Sequence, residues 1–161
     1  MANKRNRAPE GARPYSRETL YAQRPRRTFS GKHLDQIAFP LGGIGAGQIN
    51  LGGSGNLIDF SIFHKPDFGK QPMAFASVTI LNGQYRRARV IEGPVTHSRI
   101  YQGGRFAGGF NVGHEGFPRM KSAAFRGEFP FAWIDFEEPG LPLKLSLEAW
   151  SPFVPLDDRI S

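Results

Sequence analysis

The chain reads as an all-β protein, an antiparallel β-sandwich that carries a disordered basic N-terminal arm. Three observations lead there. Its 161 residues include 20 glycines and 13 prolines, which punctuate the chain with turns. Residues 74–81 and 84–91 are β-rich runs flanking Asn82-Gly83, the strongest short signal for a hairpin. Residues 143–150, Leu-Lys-Leu-Ser-Leu-Glu-Ala-Trp, alternate apolar and polar side chains, the period of a half-buried strand. Short strands without long helical stretches fit a sandwich of one domain, and the length suffices for a sizeable core.

In chain order, residues 1–27 form a flexible arm and residues 28–161 the folded domain. Pro9, Pro14 and Pro25 oppose a long helix in the arm, which keeps at most a short helical turn within 16–23, at Ser16-Arg17-Glu18-Thr19. Phe39 to Gly53 holds six glycines among apolar residues and no Lys or Arg. Glycine tolerates left-handed backbone and close approach, so this stretch predicts a sharply bent, tightly packed strand and turn, or a loop lining a pocket. Residues 54–63 read as a turn followed by a strand. In the hairpin, Asn82 and Gly83 are expected as the two central residues of a type I′ turn, which requires positive φ at both. On the second strand Tyr85, Arg87 and Arg89 share one face and Arg86, Ala88 and Val90 the other. This alternation is imperfect, as expected near a sheet edge or under a partner. Residues 92–121, rich in Gly, Phe, Arg and His, are long for a structureless loop and imply a functional loop or further short strands. Strand 131–137 meets the turn cluster Glu138-Pro139-Gly140. In the last strand Leu143, Leu145, Leu147 and Ala149 are expected to face the core.

Charge and composition exclude several function classes. The net charge is +7, yet residues 1–32 hold nine Lys/Arg against two Asp/Glu, so the body is neutral. The excess belongs to a solvated arm, and nucleic acid is not an expected partner. With no cysteine there is no disulfide and no thiolate metal site. No run approaches the roughly 18 apolar residues of a membrane span. Arg26-Arg27-Thr28-Phe29 is not followed by the uninterrupted apolar stretch of a twin-arginine signal, because Lys32, His33, Asp35 and Gln36 intervene. A cytoplasmic location is expected.

The sequence carries a resemblance along most of its length. Arg27-Thr28-Phe29-Ser30-Gly31 opens it. Ile37-Ala38-Phe39-Pro40-Leu41-Gly42-Gly43-Ile44-Gly45-Ala46-Gly47, Leu51-Gly52-Gly53-Ser54-Gly55-Asn56-Leu57 and Ile58-Asp59-Phe60-Ser61-Ile62-Phe63-His64-Lys65-Pro66 continue it. Shorter pieces follow in order at 116–118, 124–130 and 147–153. These blocks resemble the N-terminal region of glycoside hydrolase family 116, the family of non-lysosomal glucosylceramidases and related β-glucosidases. The resemblance implies a β-sandwich, of which these residues are expected to form an incomplete part, that braces a larger (α/α)6 helical barrel, in cis or in trans. It places the catalytic glutamate nucleophile and aspartate acid/base in that barrel, which lies outside these 161 residues. The implied substrate is a β-glucoside or glycolipid, reached through the barrel and hydrolysed with retention.

The residues themselves supply no catalytic, cofactor-binding or metal-binding assignment. The run Gly42–Gly47 contains no Gly-x-Gly-x-x-Gly, and no Gly-Lys-Ser/Thr or helix pattern follows, which opposes a phosphate loop. His33, His64, His97 and His114 are scattered without the spacing of metal ligands. Asp135, Glu137 and Glu138 near one strand end, and Asp157-Asp158, offer the paired carboxylates that glycoside hydrolysis needs, but such pairs are also what a solvated edge carries. Arg99-Ile100-Tyr101 and Arg105-Phe106 suggest rings that stack on sugars, although most of the 14 phenylalanines belong in a core. The alternative function is a stand-alone carbohydrate-binding or protein-interaction sandwich module. The chain by itself is expected to be inactive.

Overall fold

The structure is a computed structural model, and it describes residues 16–22, 25–43, 47–68, 71–95, 116–154 and 159. A single helical turn, α1 (Arg17–Tyr21), lies within residues 16–23, where one was expected. The rest is β: β1 (Phe29–Ser30), a 3-10 turn at Gly31–Gln36, β2 (Ala38–Pro40), β3 (Gln48–Gly52), β4 (Leu57–Ser61), β5 (Ser77–Asn82), β6 (Tyr85–Val90), β7 (Ser122–Glu128), β8 (Phe131–Glu137) and β9 (Leu145–Trp150). All strand pairings are antiparallel.

The strands make a four-stranded sheet in the order β1-β7-β8-β9, a three-stranded sheet β2-β3-β4 and the two-stranded hairpin β5-β6. The four-stranded sheet forms one layer. Its inner face presents Ala123 and Phe125 from β7, Ala132, Ile134 and Phe136 from β8, and the half-buried Leu145, Leu147 and Ala149 from β9. Against it pack Leu34 of the 3-10 turn, Phe39 of β2 and Leu51 of β3, with Val78 and Ile80 of the hairpin. The result is the predicted sandwich. Strand β8 is flanked on both sides, and its burial alternates along the strand, with Ala132 and Ile134 buried completely. Fully burying a side chain the size of Ile134 contributes about 1.5–3 kcal/mol.

Two expectations change in detail. The hairpin pairs Asn82 with Tyr85, so its loop is Gly83-Gln84 rather than Asn82-Gly83. Gly83 has φ +56°, and Asn82 and Gln84 stay out of the left-handed region. Positive φ at the first central position alone is the type II′ pattern, which calls for glycine there. Asn82 ends a strand instead of entering the turn. In the last strand, Leu145, Leu147 and Ala149 turn inward as expected, but Leu143 precedes the strand and is exposed. The ladder begins at Leu145, so Leu143 has no sheet to set its direction.

The hairpin is tied to the main sheet through the face that Tyr85 and Arg89 share. Tyr85 donates its hydroxyl to the Gly140 carbonyl. Arg89 Nη2 meets Glu138 Oε1 at 3.0 Å. The expectation for residues 92–121 is answered at its two ends, since 96–115 lie outside the described residues. Val90 and Arg119 form a parallel bridge, and the Met120 amide donates to the Glu92 carbonyl at 2.9 Å. The two ends of the segment therefore run side by side.

Candidate functional site

Three places in the fold gather polar or aromatic groups. The first is the glycine-rich segment. The Leu41 amide donates to the Ile49 carbonyl at 2.8 Å, so β2 and β3 stay together past the end of β2. At Gly42 a Cβ would run into the Gly47 carbonyl oxygen. At Gly47, with φ +87°, a Cβ would lie 2.6 Å from the Ser61 carbonyl oxygen. Backbone packs on backbone here, which accounts for glycine at these positions and supports the packed strand-and-turn reading. Residues 44–46 lie outside the described residues.

Beside this segment the backbone is strained. Asp59, Phe63 and His64 have φ of +56°, +55° and +56°. The Lys65 amide donates to the Ile62 carbonyl at 3.1 Å, so Phe63 and His64 are the central pair of a turn with both residues left-handed. That is the I′ pattern, built from residues that pay for it with steric strain of about 1–2 kcal/mol each. Phe63 is 90% exposed at the tip, and His64 is exposed beside it. Asp59 Oδ2 accepts from Asn50 Nδ2 at 2.9 Å, and Asn50 Oδ1 accepts from Gln48 Nε2 at 2.8 Å. Asn50 is buried, and its side chain is held from both sides by this chain of hydrogen bonds.

The second place is interior. Glu92 Oε2 meets Arg119 Nε at 3.2 Å, with the side chains 4% and 5% exposed. Arg119 Nη1 also donates to the Phe117 carbonyl. Ser54 and Asn56, in the turn between β3 and β4, are also buried, and the Gly93 amide next to Glu92 donates to the Ser54 carbonyl at 2.7 Å. The pair clamps the two ends of the long segment. Sequence reading passed over it, because Glu92 and Arg119 are 27 residues apart and nothing local couples them.

The third place is the outer face of the four-stranded sheet. Asp135 and Glu137 share it, as their spacing requires, and both are exposed. Glu137 accepts from Ser122 Oγ at 3.1 Å across the strand. Glu138 turns away and pairs with Arg89, so the three carboxylates do not converge. Asp157 and Asp158 lie outside the described residues, as do His97, His114, Tyr101 and the Arg105-Phe106 pair. His33 is exposed on the 3-10 turn. Among the described residues no group of three or more His, Asp or Glu could hold a metal ion.

A match to a known family decides what the fold belongs to. The family described as beta-glucosidase 2, glycosyl-hydrolase family 116 N-term, covers residues 38–161. The chain belongs to that family. A search of curated proteins finds no match to it. The family 116 match takes in β2 to β9, and therefore both layers of the sandwich, the strained turn and the buried ion pair. Among the described residues of this family 116 domain, no helix is long and apolar enough to cross a membrane.

Proposed function

We propose that this family 116 domain is the non-catalytic N-terminal sandwich of a retaining β-glucosidase of the glucosylceramidase type, and that it braces a helical (α/α)6 catalytic domain. The observation that carries the reading is the family match over residues 38–161, to the N-terminal domain of a β-glucosidase family. The arrangement of carboxylates supports it. A retaining glycosidase needs two carboxyl groups about 5–5.5 Å apart across a scissile bond. Here Asp135 and Glu137 stand on an open sheet face, Glu138 is engaged by Arg89, and Glu92 is engaged by Arg119. A nucleophile and an acid/base supplied by a partner domain leave the sandwich free for support. The exposed Phe63, Phe68 and Met73, with the Phe75–Phe117 pair at 5.4 Å, give it apolar surface of the kind another domain covers.

Turnover of an aryl β-glucoside by the purified chain tests the proposal. None is expected, and Asp135→Asn and Glu137→Gln variants should behave like the parent. Measurable hydrolysis that either substitution abolishes would overturn it.

A further inference from the structure

The outer face of the four-stranded sheet has a composition unlike the rest of the molecule. None of the outward positions of β7, β8 and β9 is Leu, Ile, Val or Met. Aromatic and charged side chains stand there instead, in cross-strand rows. Phe131 on β8 lies opposite Trp150 on β9. In the next row Arg126, Trp133 and Glu148 face one another across three strands. Asp135 follows on the same face of β8.

The rings form a graded platform. Trp133 lies between two neighbours, with the Arg126 guanidinium 4.5 Å from its ring centroid and Phe131 stacked beside it at 5.9 Å and 26°. Phe131 is 42% exposed and Trp150, on the edge strand, is 60% exposed. Flat rings rimmed by carboxylates and a guanidinium suit a ligand with apolar C–H faces and hydroxyls around its edge. A pyranose is that ligand: its C–H bonds meet the negative face of an indole, and its equatorial hydroxyls donate to carboxylates. A sugar with every substituent equatorial keeps both of its faces flat.

We propose that this face is a binding platform for β-linked gluco-oligosaccharides. Trp150 and Phe131 carry the sugar rings, while Glu148 and Asp135 accept hydrogen bonds from their hydroxyls. Arg126 positions the platform by bracing Trp133. The site is separate from hydrolysis, stands or falls independently of the bracing role, and would hold a glucan chain near the enzyme.

Both tryptophans of the chain lie on this face, so tryptophan fluorescence, excited selectively at wavelengths where tyrosine does not absorb, reports on it alone. Titration of the whole chain with cellopentaose should give a saturable change in tryptophan fluorescence. Trp150→Ala should weaken binding at least about tenfold, read from Trp133. Glu148→Ala, which leaves both indoles in place, should weaken it measurably with unchanged far-UV dichroism, and Leu81→Ser on the hairpin should leave it intact. Maltopentaose, with its bent α-linkages, should bind more weakly. The proposal is overturned if cellopentaose gives no response, or if neither Trp150→Ala nor Glu148→Ala lowers affinity. It is also overturned if a family 116 helical domain shields the tryptophans from acrylamide while cellopentaose leaves their fluorescence unchanged, since the face is then a protein-docking surface.

Discussion

Replacing Arg119 by Met should strip much of the domain's stability. The Arg119 side chain is 5% exposed, and its Nε lies 3.2 Å from Oε2 of a Glu92 side chain that is 4% exposed. Removing it strands a buried charge, a loss of about 3–5 kcal/mol. Total stabilities are about 5–15 kcal/mol, so this is a large fraction. With a urea dependence of about 2 kcal/mol per molar, the unfolding midpoint should fall by about 1.5–2.5 M. Glu92→Leu should behave similarly. The double variant Glu92→Leu/Arg119→Met removes both charges and keeps apolar volume, so it should recover to within about 1 kcal/mol of the parent. Urea titrations followed by far-UV dichroism, on parent, both singles and the double, complete the cycle. A shift below about 0.5 M for Arg119→Met, or a double variant as weak as the two single losses combined, would refute the reasoning.

Three further outcomes are expected. Gly47→Ala should destabilise far more than Gly83→Ala: the first drives a Cβ to 2.6 Å from a backbone oxygen, while nothing lies within 4 Å of the second. Gly83→Ala should cost about 1–2 kcal/mol of backbone strain in a urea titration, and equal losses would contradict the packing described for the glycine-rich segment. Tyr85→Phe, which removes the hydroxyl given to Gly140, should cost about 0.5–1.5 kcal/mol, and no loss would detach the hairpin from the main sheet. Limited proteolysis should cut first within residues 1–27, and first cuts within 77–90 would contradict both the arm and the hairpin.

The sheet-forming parts of the fold were legible where the period of two was clean. Residues 145–149 alternate apolar and polar and their burial follows the letters, whereas in 131–137 burial alternates although the outward Phe131 and Trp133 are apolar. The hairpin was legible too, but its register was one residue off, because Asn-Gly favours a turn locally while pairing across Val78, Ile80, Arg87 and Arg89 set where the strands end. The long-range features were not legible. The Glu92–Arg119 pair closes a span of 27 residues, and the left-handed Phe63-His64 turn defies the residue preferences that sequence reading relies on. The outer platform had a signal that went unused. Extending the period of two through β8 and β9 puts Phe131, Trp133 and Trp150 on one side, though not which strand pairs with which.

Adding a separately expressed family 116 helical domain to this chain tests the central claim most directly. Sedimentation should show a one-to-one complex, the apolar surface around Phe63 and Phe68 should lose its binding of a hydrophobic dye, and aryl β-glucoside turnover should rise above that of the helical domain alone. Two species that sediment independently, with dye binding and turnover unchanged by mixing, would contradict the account.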